Sequence, residues 1–178
     1  IQLAKLKNIT VKQHYNLKEH TQDVSVQKLK NLSNELEEYK KAHGLIDYND
    51  MILDFIKSDS SPEFDVVFID EAQDLSRMQW DMAKTIWNKT KDSYIAGDDD
   101  QAIFRWAGAD VDSFIAQTGK FLRLTQSLRV PKVVHDVAMN IVKRISKRHH
   151  KEWSPKNKNG LLSYYHDFQD VDMSKGEW

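Results

Sequence analysis

The sequence contains no cysteine, and it has only three prolines and six glycines among 178 residues. Without cysteine the chain can form no disulfide framework, no thiolate zinc site and no cysteine nucleophile, and a cytoplasmic location is favoured. Few prolines and glycines argue against long flexible linkers. No run approaches the roughly 18 apolar residues of a membrane-spanning helix, and the first residues do not resemble a signal peptide. We therefore expect a cytoplasmic protein with no membrane partner.

An excess of charge of one sign is also lacking. The 26 lysine and arginine residues face 27 aspartate and glutamate residues, which leaves a formal net charge of −1. This balance gives no global attraction to nucleic acids or anionic membranes, so binding to either requires a local patch. With 40% hydrophobic and 30% charged residues, the composition is that of a globular chain, long enough for one domain or two small units with a buried core.

Short apolar runs alternate with amphipathic helical patterns along the chain. The strands predicted from the apolar runs cover residues 64–69, 93–97, 121–124 and 161–165. The helices predicted from 3.6-residue periodicity begin near Val24, Tyr48, residue 75, residue 110 and Pro131, with Gly44 as a C-cap of the first. The near-continuous run 64–69 is typical of a buried parallel strand. Strands that alternate with helices favour an α/β fold with a parallel sheet.

Acidic side chains follow the two best-defined predicted strands. Asp70 and Glu71 end the first, and three aspartates at 98–100 follow the second. Ligands of open parallel sheets bind at the carboxyl ends of strands. Asp70 is therefore a candidate Mg²⁺ ligand, and Glu71 a candidate for polarising the water that attacks a nucleoside triphosphate. The alternative is an acidic turn whose aspartate stabilises a helix N-terminus.

Two further segments carry residue types suited to nucleic acid or phosphate. Phe104 and Trp106 flank Arg105 in a predicted loop, and aromatic rings with an interleaved arginine form a stacking platform for unpaired bases. Two such rings are also ordinary core residues. Arg129 lies between a predicted strand and a helix, where it suits either a phosphate contact or a surface ion pair.

Taken together, in this order and spacing, these segments resemble the UvrD/Rep/PcrA family of superfamily 1 DNA helicases. Residues 69–74 (IDEAQD) resemble its motif II, residues 97–109 (GDDDQAIFRWAGA) its motif III, and residues 126–129 (QSLR) its motif IV. Residues 45–51 (LIDYNDM) are similar to a short segment upstream of motif II. The resemblance covers about residues 25–165 and implies a partial RecA-like, P-loop NTPase fold with an N-terminal helical segment.

The resemblance implies a role in ATP hydrolysis for each matching residue. Asp70 would bind Mg²⁺, Glu71 would be the catalytic base, and Gln101 would contact the γ-phosphate and report the nucleotide state to the DNA loop. Arg129 would act as an arginine finger from a second RecA-like domain. Gln73 would couple the two sites.

On the DNA side, the resemblance implies that Phe104 and Trp106 stack on bases of single-stranded DNA, with Arg105 beside them. Two residues depart from the family pattern. Leu128 replaces the usual aromatic before the motif IV arginine, and Ala107 replaces the usual basic residue after the motif III tryptophan. Adenine stacking and that DNA contact are therefore weaker here or made by other residues.

A P-loop with the pattern GxxxxGK[ST] is missing from the sequence. No two glycines are five residues apart, and the single Gly119-Lys120 pair is followed by Phe121. We also find no later helicase motifs. The simplest hypothesis is an internal fragment. Residues 1–44 would end a helical insertion, residues 45–126 would complete the first RecA-like domain, and residues 127–178 would begin the second.

On this hypothesis the parent protein is a DNA helicase and translocase that uses Mg²⁺ and ATP and moves 3′ to 5′ on single-stranded DNA. The partners of this chain would be single-stranded DNA, ATP and the rest of the helicase polypeptide. The chain alone would be inactive, because the phosphate cradle is missing. Two alternatives remain, the helicase part of a helicase–nuclease and a helicase remnant that binds DNA or protein without hydrolysis.

Overall fold

A computed structural model describes residues 1–17, 24–172 and 174 of the chain. The chain divides into two compact units, Ile1–Thr118 and Gly119–Trp178. Parts of the predicted segments 1–44 and 127–178 lie at residues 18–23, 173 and 175–178, outside the described residues.

Among the described residues the first unit begins with four helices. They are α1 (Gln2–Leu6), α2 (Val11–Asn16), α3 (Val26–His43) and α4 (Tyr48–Ser58), and a capping side chain starts three of them, α2, α3 and α4. The Ser25 side chain accepts a hydrogen bond from the Lys28 N–H and starts α3, which ends at Gly44 with a φ of 63°. Asp47 and Asp50 form a capping box that starts α4. The predicted helix pair and the Gly44 C-cap are confirmed.

A small parallel sheet follows the helices. It consists of β1 (Phe64–Ile69) and β2 (Thr90–Ile95), with α5 (Arg77–Trp87) between them in the chain. Phe64 pairs with Thr90 and Ile69 with Ile95. This β–α–β order confirms a mixed α/β fold. The second strand begins at Thr90 instead of residue 93, because pairing with β1 includes polar residues that hydropathy does not mark.

The core of the first unit is centred on α5. The buried apolar residues are Ala4, Ala72, Met78, Trp80, Ala83 and Val111. Trp80 is fully buried and packs edge-on against Trp87, with ring centroids 6.1 Å apart. The unit ends with three 3₁₀ turns, which follow β1 or β2, and one short helix: Ala72–Asp74, Asp99–Gln101, Arg105–Ala107 and α6 (Val111–Ile115).

The prediction that β1 is buried is wrong. Val66 and Phe68 are 43% and 75% exposed, whereas Val67 and Ile69 are half-buried. Because successive side chains of a strand point to opposite faces, only one face of this sheet is packed against the unit. On the other face Phe68 stacks on Tyr94, with ring centroids 5.0 Å apart.

In the second unit, α7 (Lys132–Val142) starts directly after Pro131, close to the predicted position. A 3₁₀ turn, Phe168–Asp170, lies near the end of the described residues. Across both units, none of the helices within the described ranges combines the length and apolar character needed to cross a membrane.

The strands predicted over residues 121–124 and 161–165 are wrong. Neither segment pairs with a neighbour, and Leu122 is 90% exposed. An extended apolar run becomes a strand only when a second strand satisfies its backbone N–H and C=O groups. Within the described part of this unit, such pairing is limited to an isolated bridge between Gln126 and Ser154.

Candidate functional site

The carboxyl ends of β1 and β2 lie side by side. Hydrogen bonding continues beyond the last paired residues, because the Ala96 N–H donates to the Ile69 carbonyl at 2.8 Å and the Ala72 N–H donates to the Ala96 carbonyl at 3.0 Å. The acidic segments that follow the two strands therefore meet at one edge of the sheet, with Asp70 at the end of β1. This is the edge where parallel sheets place ligands.

Asp70 and Glu71 form a tight turn at this edge, and both side chains are exposed. Glu71 has left-handed backbone angles, φ 49° and ψ 39°, which are uncommon for a residue with a side chain. Its N–H donates to Asp70 Oδ1 at 2.9 Å. Within residues 1–17, 24–172 and 174 the other oxygen, Oδ2, has no hydrogen-bond partner. One carboxylate oxygen of Asp70 therefore stays available to a ligand.

Gln73 connects this turn to the loop after β2. Its side chain is 2% exposed. Its Nε2 donates to Glu71 Oε2 at 2.7 Å, and its Oε1 accepts from the Asp98 N–H at 3.0 Å. Sequence reasoning assigned Gln73 a coupling role only through the family resemblance, and the charged residues around it gave no sign that it is buried.

Gln101 joins the same series of hydrogen bonds. Its Nε2 donates to Asp98 Oδ2 at 2.7 Å, and its N–H donates to the Asp98 carbonyl at 2.9 Å. Asp98 Oδ1 accepts from the Asp100 N–H at 3.1 Å. These donors offset the repulsion expected among three consecutive aspartates. The structure thus brings Glu71 and Gln101 together through Gln73 and Asp98, a residue that sequence reasoning did not single out as a site residue.

The aromatic loop presents both rings to solvent. Phe104 is 43% exposed and Trp106 is 74% exposed, with ring centroids 6.4 Å apart. Trp106 is therefore not a core residue of this unit. Arg105 lies beside the rings and pairs with Asp112, with Nη2 and Oδ1 3.2 Å apart. Both side chains are half exposed, and such a pair contributes only about 0–1 kcal/mol. Arg105 can therefore exchange this partner for another anion at small cost.

The far end of the aromatic loop is attached to the segment after β1. The Asp110 N–H donates to the Leu75 carbonyl at 2.8 Å, and Ser76 forms an antiparallel bridge with Ala109. The loop that carries the two rings therefore contacts the segment that follows Glu71 at both of its ends, through Gln73 at one end and Leu75 and Ser76 at the other. The acidic edge and the aromatic surface share one backbone framework.

Arg129 lies in the second unit, on an exposed segment before α7. Its N–H donates to Ser127 Oγ at 3.3 Å, and its side chain is exposed. Gln126 anchors the segment, because its Nε2 donates to the Pro155 carbonyl at 2.9 Å. Leu128, which replaces the family aromatic, is 88% exposed. The arginine-finger role of Arg129 stays a prediction.

A cluster of five charged residues, which we call the lysine cluster, was missed by sequence reasoning. It consists of Lys5, Glu37, Lys40, Asp47 and Asp50. Lys40 is 8% exposed, and its Nζ lies 2.6 Å from Asp50 Oδ2, 3.0 Å from Glu37 Oε1 and 3.1 Å from Asp47 Oδ2. Lys5 Nζ lies 2.6 Å from Glu37 Oε1 and 3.2 Å from Asp50 Oδ1. The cluster joins α1, α3 and α4.

The lysine cluster shifts the pKa values of its members toward their charged forms. Burial opposes ionisation of Lys40, Asp47 and Asp50, but their mutual hydrogen bonds outweigh it, so the pKa of Lys40 is raised and those of both aspartates are lowered. The hydrogen bond from Lys5 lowers the pKa of Glu37. Residues 45–51 contain both aspartates, but their lysine partners lie elsewhere in the sequence and could not be inferred from spacing.

Residues 1–121 match the family model of the UvrD/REP helicase N-terminal domain, and the chain belongs to this family. The resemblance predicted from the motifs is confirmed. The ATP-dependent DNA helicase PcrA of Bacillus subtilis (strain 168) is 28% identical over 148 residues, which cover 75% of this chain and 20% of that protein. The proteins of the same name from Staphylococcus epidermidis (strain ATCC 12228 / FDA PCI 1200) and Staphylococcus aureus (strain NCTC 8325 / PS 47) are each 27% identical, over 73% and 68% of this chain. The chain spans about a fifth of the length of these relatives.

Proposed function

We propose that this chain belongs to an ATP-dependent DNA helicase and carries its water-activating carboxylate, its γ-phosphate contact and part of its single-strand binding surface. The observation that supports this most directly is the series of hydrogen bonds from Glu71 through Gln73 and Asp98 to Gln101. It places a carboxylate and an amide at the edge where β1 and β2 end. The relatives are named as ATP-dependent DNA helicases, which agrees with this proposal.

The residues at this edge suit Mg²⁺ bound together with a nucleotide. Mg²⁺ is commonly held by one or two carboxylates plus phosphate oxygens, and Asp70 Oδ2 is available for that. Among the described residues no group of three or more His, Cys, Asp or Glu side chains is arranged to hold a metal alone. When bound, Mg²⁺ would neutralise charge on the β- and γ-phosphates.

In this proposal Glu71 accepts a proton from the attacking water and orients it, while Gln101 contacts the γ-phosphate. Arg129 stabilises the negative charge that develops there during hydrolysis. The two parallel strands and their crossover helix are the part of a RecA-like domain that bears Glu71 and Gln101, and Arg129 comes from the second unit. Residues 1–44 end a helical insertion, residues 45–126 complete the first RecA-like domain, and residues 127–178 begin the second.

The parent helicase moves 3′ to 5′ on single-stranded DNA in the cytoplasm, and the exposed Phe104 and Trp106 rings stack on successive bases. Arg105 adds positive charge near the DNA backbone. The uncovered face of β1, with Phe68 75% exposed, supports the idea that further polypeptide packs against this sheet in the parent protein.

The 178-residue chain alone is expected to show no ATP hydrolysis above background, because it supplies no P-loop and hence little phosphate binding. Release of phosphate from Mg²⁺-ATP should be measured for the chain and for the full-length parent, each with and without single-stranded DNA. The parent should hydrolyse ATP faster when DNA is present. DNA-stimulated turnover by the chain alone would contradict its predicted inactivity.

Replacement of Trp106 by alanine in the full-length parent should weaken single-stranded DNA binding by about 1–3 kcal/mol, because one base loses its stacking partner. Fluorescence anisotropy with a labelled oligonucleotide measures this change. Tyr164→Ala serves as the control, because Tyr164 is 88% exposed but lies outside the loop and outside every segment that resembles a helicase motif, and it should leave affinity unchanged. Equal affinity of Trp106→Ala and the unmodified protein would remove Trp106 from the DNA surface.

A further inference from the structure

The Gln73 side chain is a buried polar group whose amide nitrogen contacts one loop at the edge of the sheet and whose amide oxygen contacts the other. It is 2% exposed, with its Nε2 2.7 Å from Glu71 Oε2 and its Oε1 3.0 Å from the Asp98 nitrogen. A longer contact of 3.5 Å joins Nε2 to Asp74 Oδ2. Both the donor and the acceptor capacity of the amide are thus used inside the protein.

The orientation of this amide is determined by its partners. If the amide were turned by 180°, its oxygen would face the carboxylate of Glu71 and its NH₂ group would face the N–H of Asp98, and both contacts would be repulsive. Because Gln73 is buried, water cannot relieve either contact. Gln73 therefore has one favourable orientation, in which its hydrogen bond fixes one oxygen of Glu71.

The hydrogen bond from Gln73 matters because few other contacts restrain the Glu71 side chain. Its side chain is exposed, and an exposed glutamate samples several rotamers. A group that orients a reacting water has to be held within about 0.5 Å of its productive position. The hydrogen bond from Gln73 holds Oε2. Within the described residues the other oxygen, Oε1, has no partner and can face a water molecule.

Gly97 provides the space that the Gln73 amide requires. A Cβ atom at this position would lie 2.6 Å from Gln73 Oε1 and 2.9 Å from Phe114 Cζ. Both distances are shorter than van der Waals contact, so a side chain at residue 97 would displace the amide or the Phe114 ring. The close approach of Gln73 to the Asp98 N–H thus depends on a residue without a side chain.

We propose that Gln73 is a positioning residue for ATP hydrolysis, whose amide holds the Glu71 carboxylate against the backbone of the loop after β2, and that Gly97 makes this contact possible. The inference rests on the proposed function, because it takes Glu71 to be the catalytic base. It assigns Gln73 an effect on the rate of hydrolysis that acts through Glu71, with no contact of its own to ATP or DNA.

The test compares Gln73→Met, which keeps the side-chain volume and removes both hydrogen bonds, with the unmodified full-length helicase. The kcat of DNA-stimulated hydrolysis should fall about 10- to 100-fold, because the base is misplaced, whereas the KM for ATP and the affinity for DNA should stay within about threefold. Gln117→Met is the matched control, since this half-buried glutamine lies outside the candidate site and its side-chain Nε2 donates to the Ser113 carbonyl, and its kcat should be unchanged.

A second readout does not depend on activity. In the isolated chain, hydrogen exchange at the Asp98 amide should be faster in Gln73→Met than in the unmodified chain, because this N–H loses its acceptor. If Gln73→Met does not fold, Gly97→Ala is tested in its place, because this substitution keeps the Gln73 amide but displaces its oxygen. We expect a lower kcat for Gly97→Ala as well.

Several outcomes would overturn the proposal. One is an unchanged kcat in a folded Gln73→Met or Gly97→Ala protein. Another is a fall in kcat that only matches the unfolded fraction measured by calorimetry, because Gln73 would then be a packing residue. A different result contradicts the proposed function itself, namely normal ATP turnover by Glu71→Gln. If Glu71→Gln is inactive while a folded Gln73→Met has normal kcat, the positioning role alone is wrong.

Discussion

In the full-length helicase proposed to contain this chain, Glu71→Gln is expected to lower ATP hydrolysis about 10²- to 10⁴-fold, because an amide cannot accept the proton of the attacking water. Glutamine keeps the shape of glutamate. Its oxygen can still accept the hydrogen bond from Gln73 Nε2, which lies 2.7 Å from Glu71 Oε2. The local structure should therefore survive, and the affinity for nucleotide should change little.

Single-turnover hydrolysis separates this chemical step from binding, and titration with a fluorescent ATP analogue measures the affinity. Glu63→Gln is the matched control, because it makes the same chemical change at an exposed glutamate just before β1 and should leave turnover normal. Normal turnover by Glu71→Gln would remove Glu71 from its catalytic role. A parent protein that binds DNA but hydrolyses no ATP even with Glu71 present would instead favour the non-hydrolysing remnant.

Local features of the fold could be predicted because their causes are local. The C-cap at Gly44, the capping residue Asp47 and the start of α7 after Pro131 depend on residues next to one another in the chain. The order strand, helix, strand also follows from periodicity alone. The juxtaposition of the Asp70 and Asp98 segments follows from the parallel pairing of β1 and β2, since parallel strands bring their carboxyl ends to the same edge.

Features that depend on distant partners could not be predicted. The apolar runs at 121–124 and 161–165 have strand-like composition, but a strand also needs a neighbouring strand, which no local pattern reveals. Burial of β1 was overestimated for the same reason, because hydropathy does not show whether both faces of a sheet are covered. For the candidate site, the resemblance named the residues, whereas the buried amide of Gln73 between two loops emerged only from the structure.

The lysine cluster is the clearest feature that depends on partners distant in the sequence. Lys40→Met should lower the free energy of unfolding of the chain by about 2–4 kcal/mol at pH 7. Methionine keeps most of the apolar stem but removes the ammonium group. Glu37, Asp47 and Asp50 would then share Lys5 alone. Urea denaturation monitored by tryptophan fluorescence measures the change.

Lys57→Met is the control for this substitution. Lys57 and Asp54 form an exposed pair 3.9 Å apart on α4, and its loss should change the stability by less than about 0.5 kcal/mol. A loss of the same size in both variants would mean that removal of any lysine, and not the buried cluster, destabilises the chain.

The pH dependence of this loss tests its electrostatic origin. Burial raises the pKa of Asp47 and Asp50, but hydrogen bonds, including those from Lys40, outweigh it and hold both pKa values below the ordinary value of 3.8. Below that value the unfolded chain therefore binds more protons, and the stability that the two ionised aspartates contribute is lost as the pH falls. The difference in the free energy of unfolding between the unmodified chain and Lys40→Met should be largest near pH 7. It should become smaller as the pH falls below about 5, because the aspartates left without Lys40 become protonated. A difference that stays constant from pH 7 to pH 3 would instead trace the effect to packing of the lysine stem.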